Sequence, residues 1–191
     1  MNKIELRDIL ISWLALSVAF MFLFEGVGIQ NIKTLPSYLF IVAVSFLSHE
    51  LGHRQVARKH GLQANYKMWP EGLILALIFS MFHFLIAAPG AVVIRQGIFI
   101  GTRRKLREIS LKISIAGVAV NIVLGLFLLI AYFFTGISIL RLAAYINIWF
   151  AIVNLLPIPP LDGSKVLYYN SKIWVLVFLI AVGLFGVVMY L

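Results

Sequence analysis

Apolar residues run through this chain in long blocks. Five of them, 9–27, 36–56, 113–134, 138–156 and 173–191, reach the length a helix needs to cross a bilayer. At 1.5 Å per residue, about 20 residues cover roughly 30 Å of hydrocarbon. Pro36 suits the first turn of the second block, where its missing N–H is no loss, and Arg141 can snorkel from the start of the fourth. A sixth run, Leu73 to Ala88, is short, contains His83 and stops at Pro89-Gly90. The alternation in the following "AVVIRQGIFIG" has the period of strands, so this region predicts a re-entrant segment and a short β-hairpin. The pattern as a whole predicts an all-α polytopic membrane protein, a helical bundle of five to six transmembrane helices folded as one unit.

Composition sharpens this. With 62% hydrophobic and 12% charged residues and a mean hydropathy of +1.03, a soluble globular domain is excluded. The first apolar run follows Lys3 and Arg7 as a signal peptide would, but Ile9 to Phe24 ends in "MFLFEGVG" without a small-x-small cleavage pattern, so a retained helix is expected. Cysteine is absent, which removes disulfides, thiolate metal sites and cysteine nucleophiles.

The net charge of +9 sits in short blocks between apolar runs, which sets orientation in a membrane and gives no reason to expect a nucleic-acid partner. Lys3 and Arg7, then Arg54, Arg58, Lys59 and Lys67, then Arg95, Arg103, Arg104, Lys105, Arg107 and Lys112 mark cytoplasmic segments. All three fall on one side only if 73–98 enters and leaves the bilayer by the same face. The expected location is the cell membrane, multi-pass, with a cytoplasmic N-terminus.

Against this background "HELGH", His49 to His53, stands out as an H-E-x-x-H motif. Residues four apart share a helical face, so two imidazoles can ligate one zinc ion while Glu50, a step round the helix, reaches its water as general base. Counted from Pro36, His49 lies about 20 Å along the helix, within the hydrocarbon, where unpaired ionisable groups are costly and usually functional.

Catalytic zinc takes a third protein ligand and keeps one position open. The downstream candidates are His60, Glu71, His83, Glu108 and Asp162. The extended metzincin pattern fails, because Val56 and Lys59 stand where it needs glycine and histidine. Glu108 has Arg104 and Lys112 at i−4 and i+4 and reads as a surface ion pair, and His83 reads as a packed or interfacial histidine. Asp162 lies in "NLLPIPPLDGSKVL", where three prolines end the fourth span and Asp162-Gly163 turns the chain. It is either a simple turn residue or a ligand. Two spans separate it from Arg54, so parity brings it to the side of the membrane where "HELGH" lies.

The three segments "HELGH", "ISIAGVAVN" and "NLLPIPPLDG" together resemble the site-2 protease family of intramembrane zinc metalloproteases. The resemblance covers about 36–170 and implies a single membrane-embedded metalloprotease domain, 1–191, with accessory helices 9–27 and 173–191. It implies one zinc ion per chain on His49, His53 and Asp162, with Glu50 as catalytic base. Substrates would be transmembrane proteins, cut within or near their membrane segments in the lipid bilayer, with the active site opening to the cytoplasm. Two positions depart from the family pattern: Val118 replaces the proline of A-G-P-x-x-N, and Ser164 stands where many relatives carry glycine.

Asn121 and Asn154 could donate to an unwound substrate or a developing oxyanion, or could join helices as Asn147 does more simply. "AVVIRQGIFI" could offer a strand edge to an extended substrate or close a structural hairpin. A membrane-anchored zincin would need a long polar region and a glutamate ligand further on, and a metal transporter would not need Glu50. No G-x-S-x-G occurs, and Asp8 is the only aspartate besides Asp162, so serine and aspartyl intramembrane chemistry find no support.

Overall fold

The computed structural model describes residues 3–85, 89–95 and 103–191. Eight α-helices and two strands follow in order among them: α1 (Lys3–Glu25), α2 (Leu35–Val42), α3 (Ser48–Lys59), β1 (Gln63–Met68), α4 (Pro70–Ser80), β2 (Gly90–Arg95), α5 (Arg103–Thr135), α6 (Ser138–Asn154), α7 (Asp162–Tyr169) and α8 (Ser171–Tyr190). A 3-10 turn, Ile29–Thr34, leads into α2, and a π-helical turn, Ala43–Leu47, joins α2 to α3, so Ile29–Lys59 is one continuous rod.

Among the described residues four helices are long and apolar enough to cross a membrane: Lys3–Glu25, Ile29–Lys59, Arg104–Thr135 and Ser171–Tyr190. The protein is therefore a multi-pass membrane protein with a helical fold. The block expected at 138–156 forms α6, which is shorter at 17 residues. It is walled in by neighbours, packing against α2, α5, α8 and the π turn. Phe150, Ile146 and Ala143 of α6 meet Leu16 and Phe20 of α1 and Tyr38, Ile41 and Phe46 of the second rod in the main buried cluster.

After β1 the chain leaves the sheet as α4. Trp69 N–H donates to the Pro89 carbonyl at 2.9 Å, which ties the two ends of the excursion together. Eleven residues make α4 about 16 Å long, too short to span. It packs along α1, and beyond it His83 Nδ1–H donates to Leu23 C=O at 2.8 Å, near the opposite end of that helix.

The strand expected after Pro89 is present as β2, but its partner is β1, antiparallel from Gln63↔Arg95 to Met68↔Gly90. The second half of the expected hairpin, 96–101, lies outside the described residues. The outer edge of β1 is closed by α1: Tyr66 N–H donates to Glu5 Oε1 at 3.0 Å and Met68 N–H to Asp8 Oδ2 at 3.4 Å. Glu5 also pairs with Arg54 of α3, so one buried carboxylate joins α1, α3 and the sheet. Burial, with the Glu50 and Asp8 charges, pushes the Tyr66 phenol up, and it remains a neutral donor to Ser12 Oγ at 2.9 Å.

Candidate metal centre

His49 and His53 face the same way from α3, one turn apart, toward α5 and the start of α7. His53 Nδ1 lies 2.6 Å from the Ile113 carbonyl, which can only accept, so this nitrogen carries the proton. His49 Nδ1 lies 2.6 Å from Asn121 Oδ1. The amide of Asn121 donates to Ser45 C=O and to Asn147 Oδ1, both at 3.0 Å, which fixes its oxygen toward the imidazole. Neutral rings held this way present both Nε2 lone pairs to the same point.

Asp162 arrives there from the opposite side. Pro157, Pro159 and Pro160 end α6 and redirect the chain, and Leu161 is extended before α7 begins. A Cβ at Gly163 would overlap the Leu155 carbonyl, so only glycine lets the first turn of α7 seat against the end of α6. The three atoms then form a buried triangle, with Nε2–Nε2 3.0 Å, His53 Nε2–Asp162 Oδ2 2.9 Å and His49 Nε2–Asp162 Oδ2 3.3 Å. Three acceptors in contact repel unless a cation sits among them. The edges are close to the roughly 3.3 Å that tetrahedral zinc with bonds near 2.0–2.1 Å requires.

The surroundings leave room for that cation. A Cβ at Gly117 of α5 would stand 2.5 Å from His53 Nε2 and 2.7 Å from His49 Nε2, where a metal would lie. Val118 is fully buried and packs with Ala151, Leu155 and Ala181, so α5 runs helically past the site without the family proline. The donor set and spacing fit zinc.

Glu50 lines the same cleft, and its Oε2 is a buried polar atom without a hydrogen-bond partner among the described residues. The cleft is walled by Phe46, Gly90, Val92, Phe150, Asn154 and Leu161. Its cavity of about 10 Å³ holds on the order of one water molecule.

The comparisons agree with this chemistry. The sequence pattern of Peptidase family M50 matches residues 135–175, the stretch that carries Asp162. Over 187 residues the chain is 37% identical to the "Putative zinc metalloprotease MJ0611" of Methanocaldococcus jannaschii, covering 94% of this chain and 91% of that protein. The chain belongs to peptidase family M50, the site-2 protease family. As an M50 protein it is a zinc metallopeptidase. It is also 30% identical over 156 residues to the "Zinc metalloprotease MJ0392" of the same organism, covering 78% of this chain and 39% of that protein. A third relative, the "Putative zinc metalloprotease YwhC" of Bacillus subtilis, is 30% identical over 161 residues, covering 71% of this chain and 69% of that protein. No solved structure matches this M50 chain.

The structure thus gathers His49, Glu50, His53 and Asp162 at one buried point and leaves the other candidates apart. Glu108 pairs with Arg104 at 3.4 Å on the surface, and His83 bonds to α1. Asn154 lines the cleft, with its amide nitrogen donating to Phe150 C=O at 3.0 Å, whereas all three polar contacts of Asn121 go to His49, Ser45 and Asn147. Sequence reading missed Glu5, Asp8 and Tyr66, whose charges and phenol look like ordinary membrane-end residues until β1 is seen to need them.

Proposed function

We propose that this M50 protein is an intramembrane endopeptidase that hydrolyses peptide bonds within or near transmembrane segments of membrane-protein substrates. The observation that carries the reading is the convergence of His49 Nε2, His53 Nε2 and Asp162 Oδ2 within 3.3 Å, beside an unpartnered Glu50 oxygen, on a rod long and apolar enough to cross a bilayer.

His49, His53 and Asp162 would hold one zinc ion. When bound, zinc acidifies the attacking water and polarises the scissile carbonyl. Glu50, whose Oε2 is buried without a partner in the cleft, would take a proton from the attacking water and return it to the leaving amine. Asn121 holds the His49 ring through Nδ1 and acts by positioning it, while Asn154 is the amide available to the substrate side of the cleft.

The sheet supports extended binding. Tyr66 N–H points to Glu5, away from β2, so in the register Tyr66↔Val92 the Val92 N–H and C=O point to the other edge, which pairs with no strand among the described residues. Gly90 to Val92 line the cleft, so a substrate segment adding along this edge would pass the metal site unwound. A cavity of about 10 Å³ cannot hold a peptide, so entry requires the cleft to widen. The chain acts as one domain in the lipid bilayer of the cell, its basic end and cleft mouth facing the cytoplasm.

The test is reconstitution in proteoliposomes with a model single-span substrate, the products located by mass spectrometry. Cleavage inside the hydrophobic segment, absent in Glu50→Gln, is the expected result. Cleavage confined to soluble loops, or undiminished in Glu50→Gln, would contradict the reading.

A further inference from the structure

The two oxygens of Asp162 have different neighbours. Oδ2 faces His53 Nε2 at 2.9 Å and His49 Nε2 at 3.3 Å, while Oδ1 accepts from Lys165 Nζ at 3.2 Å. Asp162 and Lys165 are i and i+3 in α7, which places the ammonium beside the carboxylate on one face. Lys165 is only partly exposed, its side chain at 39%, and it lines a cavity of about 130 Å³ with His53, Ser110, Ser114 and Tyr169. Among the described residues Asp162 is its ion-pair partner, and the contact lies on Oδ1, while the closest histidine contacts lie on Oδ2.

We propose that Lys165 is a positioning residue that holds Oδ1 and so limits Asp162 to one oxygen toward the metal. The inference rests on the reading of Asp162 as a zinc ligand. A carboxylate can bind a metal through one oxygen or both, and binding through both fills the position that catalytic zinc must keep for water. A charge-assisted hydrogen bond to one oxygen opposes that collapse, because the oxygen must leave the ammonium to reach the metal. Lys165 therefore sets the coordination number from outside the ligand set. Loss of the lysine frees a ligand oxygen and removes a positive charge near the cation. Zinc should then bind as tightly as in wild type or more tightly while turnover falls. A merely supportive residue would weaken both together.

The experiment compares wild type, Lys165→Met, Lys165→Arg and Asp162→Asn, each loaded with Co(II) in place of zinc. Visible absorption reports coordination number and chelator competition reports zinc affinity. Wild type and Lys165→Arg should give the intense bands of four-coordinate Co(II). Lys165→Met should give weaker bands of higher coordination, undiminished zinc affinity and kcat lower by tenfold or more. An unchanged spectrum in Lys165→Met, or parallel losses of affinity and kcat, would overturn the role of Lys165. Should Lys165→Met fail to fold, Lys165→Leu, which also lacks a donor, replaces it under the same criteria. Failure of the underlying assignment is separate: it is shown by a wild-type spectrum that Asp162→Asn leaves intact.

Discussion

His49 Nδ1 and Asn121 Oδ1 are joined by a 2.6 Å hydrogen bond across two helices, and Asn121 is itself held by Ser45 and Asn147. The π turn, the middle of α5 and α6 thereby converge on one imidazole. Such partners of metal-binding histidines typically carry about 10–100-fold in metal affinity. Asn121→Leu should weaken zinc binding by that order in chelator competition, with helix content retained. Unchanged affinity would show that the amide does not orient the ring.

Gly117 bounds the same site by having no side chain. A methyl there would sit 2.5 Å from His53 Nε2, and the helix backbone cannot yield as a flexible side chain would. Gly117→Ala should abolish zinc retention through purification, whereas an alanine at Gly183, which has open space around it, should leave zinc content unchanged.

Glu5 ties α1 to Arg54 and to the Tyr66 amide while almost fully buried. Removing this carboxylate takes away the buried acceptor of the Tyr66 N–H and one partner of Arg54, which costs on the order of 1–3 kcal/mol. Glu5→Ala should therefore lower the unfolding midpoint in detergent clearly, and an unchanged midpoint would show that the pair contributes nothing.

How much of this was readable beforehand follows from range. "HELGH" is legible because its geometry is that of one helical turn, and the spans because apolar length is local. Asp162 was legible by parity and resemblance, since the span count and the proline-rich strip bring it back to the right face. β1 was not: "QANYKM" alternates weakly among polar residues, and it is held by its pairing with β2 and by Glu5 and Asp8, which lie 61 and 60 positions before the residues they bind. The π turn was hidden as well, because Ala43–Leu47 has an ordinary apolar sequence and the use of the Ser45 carbonyl by Asn121 depends on another helix.

Register makes a sharp test of the strand edge. Val92 N–H points away from β1, whereas Val93 is opposite Asn65 in a hydrogen-bonded pair. Proline at an outward N–H spares the ladder, so Val92→Pro should keep the fold and zinc but lower kcat/KM for a transmembrane substrate. Val93→Pro should instead destabilise the sheet. Full activity in Val92→Pro would remove the edge from substrate binding.

Zinc content of the purified protein, measured by elemental mass spectrometry beside protein concentration, tests the central claim most directly. One zinc per chain is predicted for wild type and for Glu50→Gln, with loss of the metal in His49→Ala, His53→Ala and Asp162→Asn. Full occupancy in Asp162→Asn, or none in wild type purified without chelator, would contradict the account.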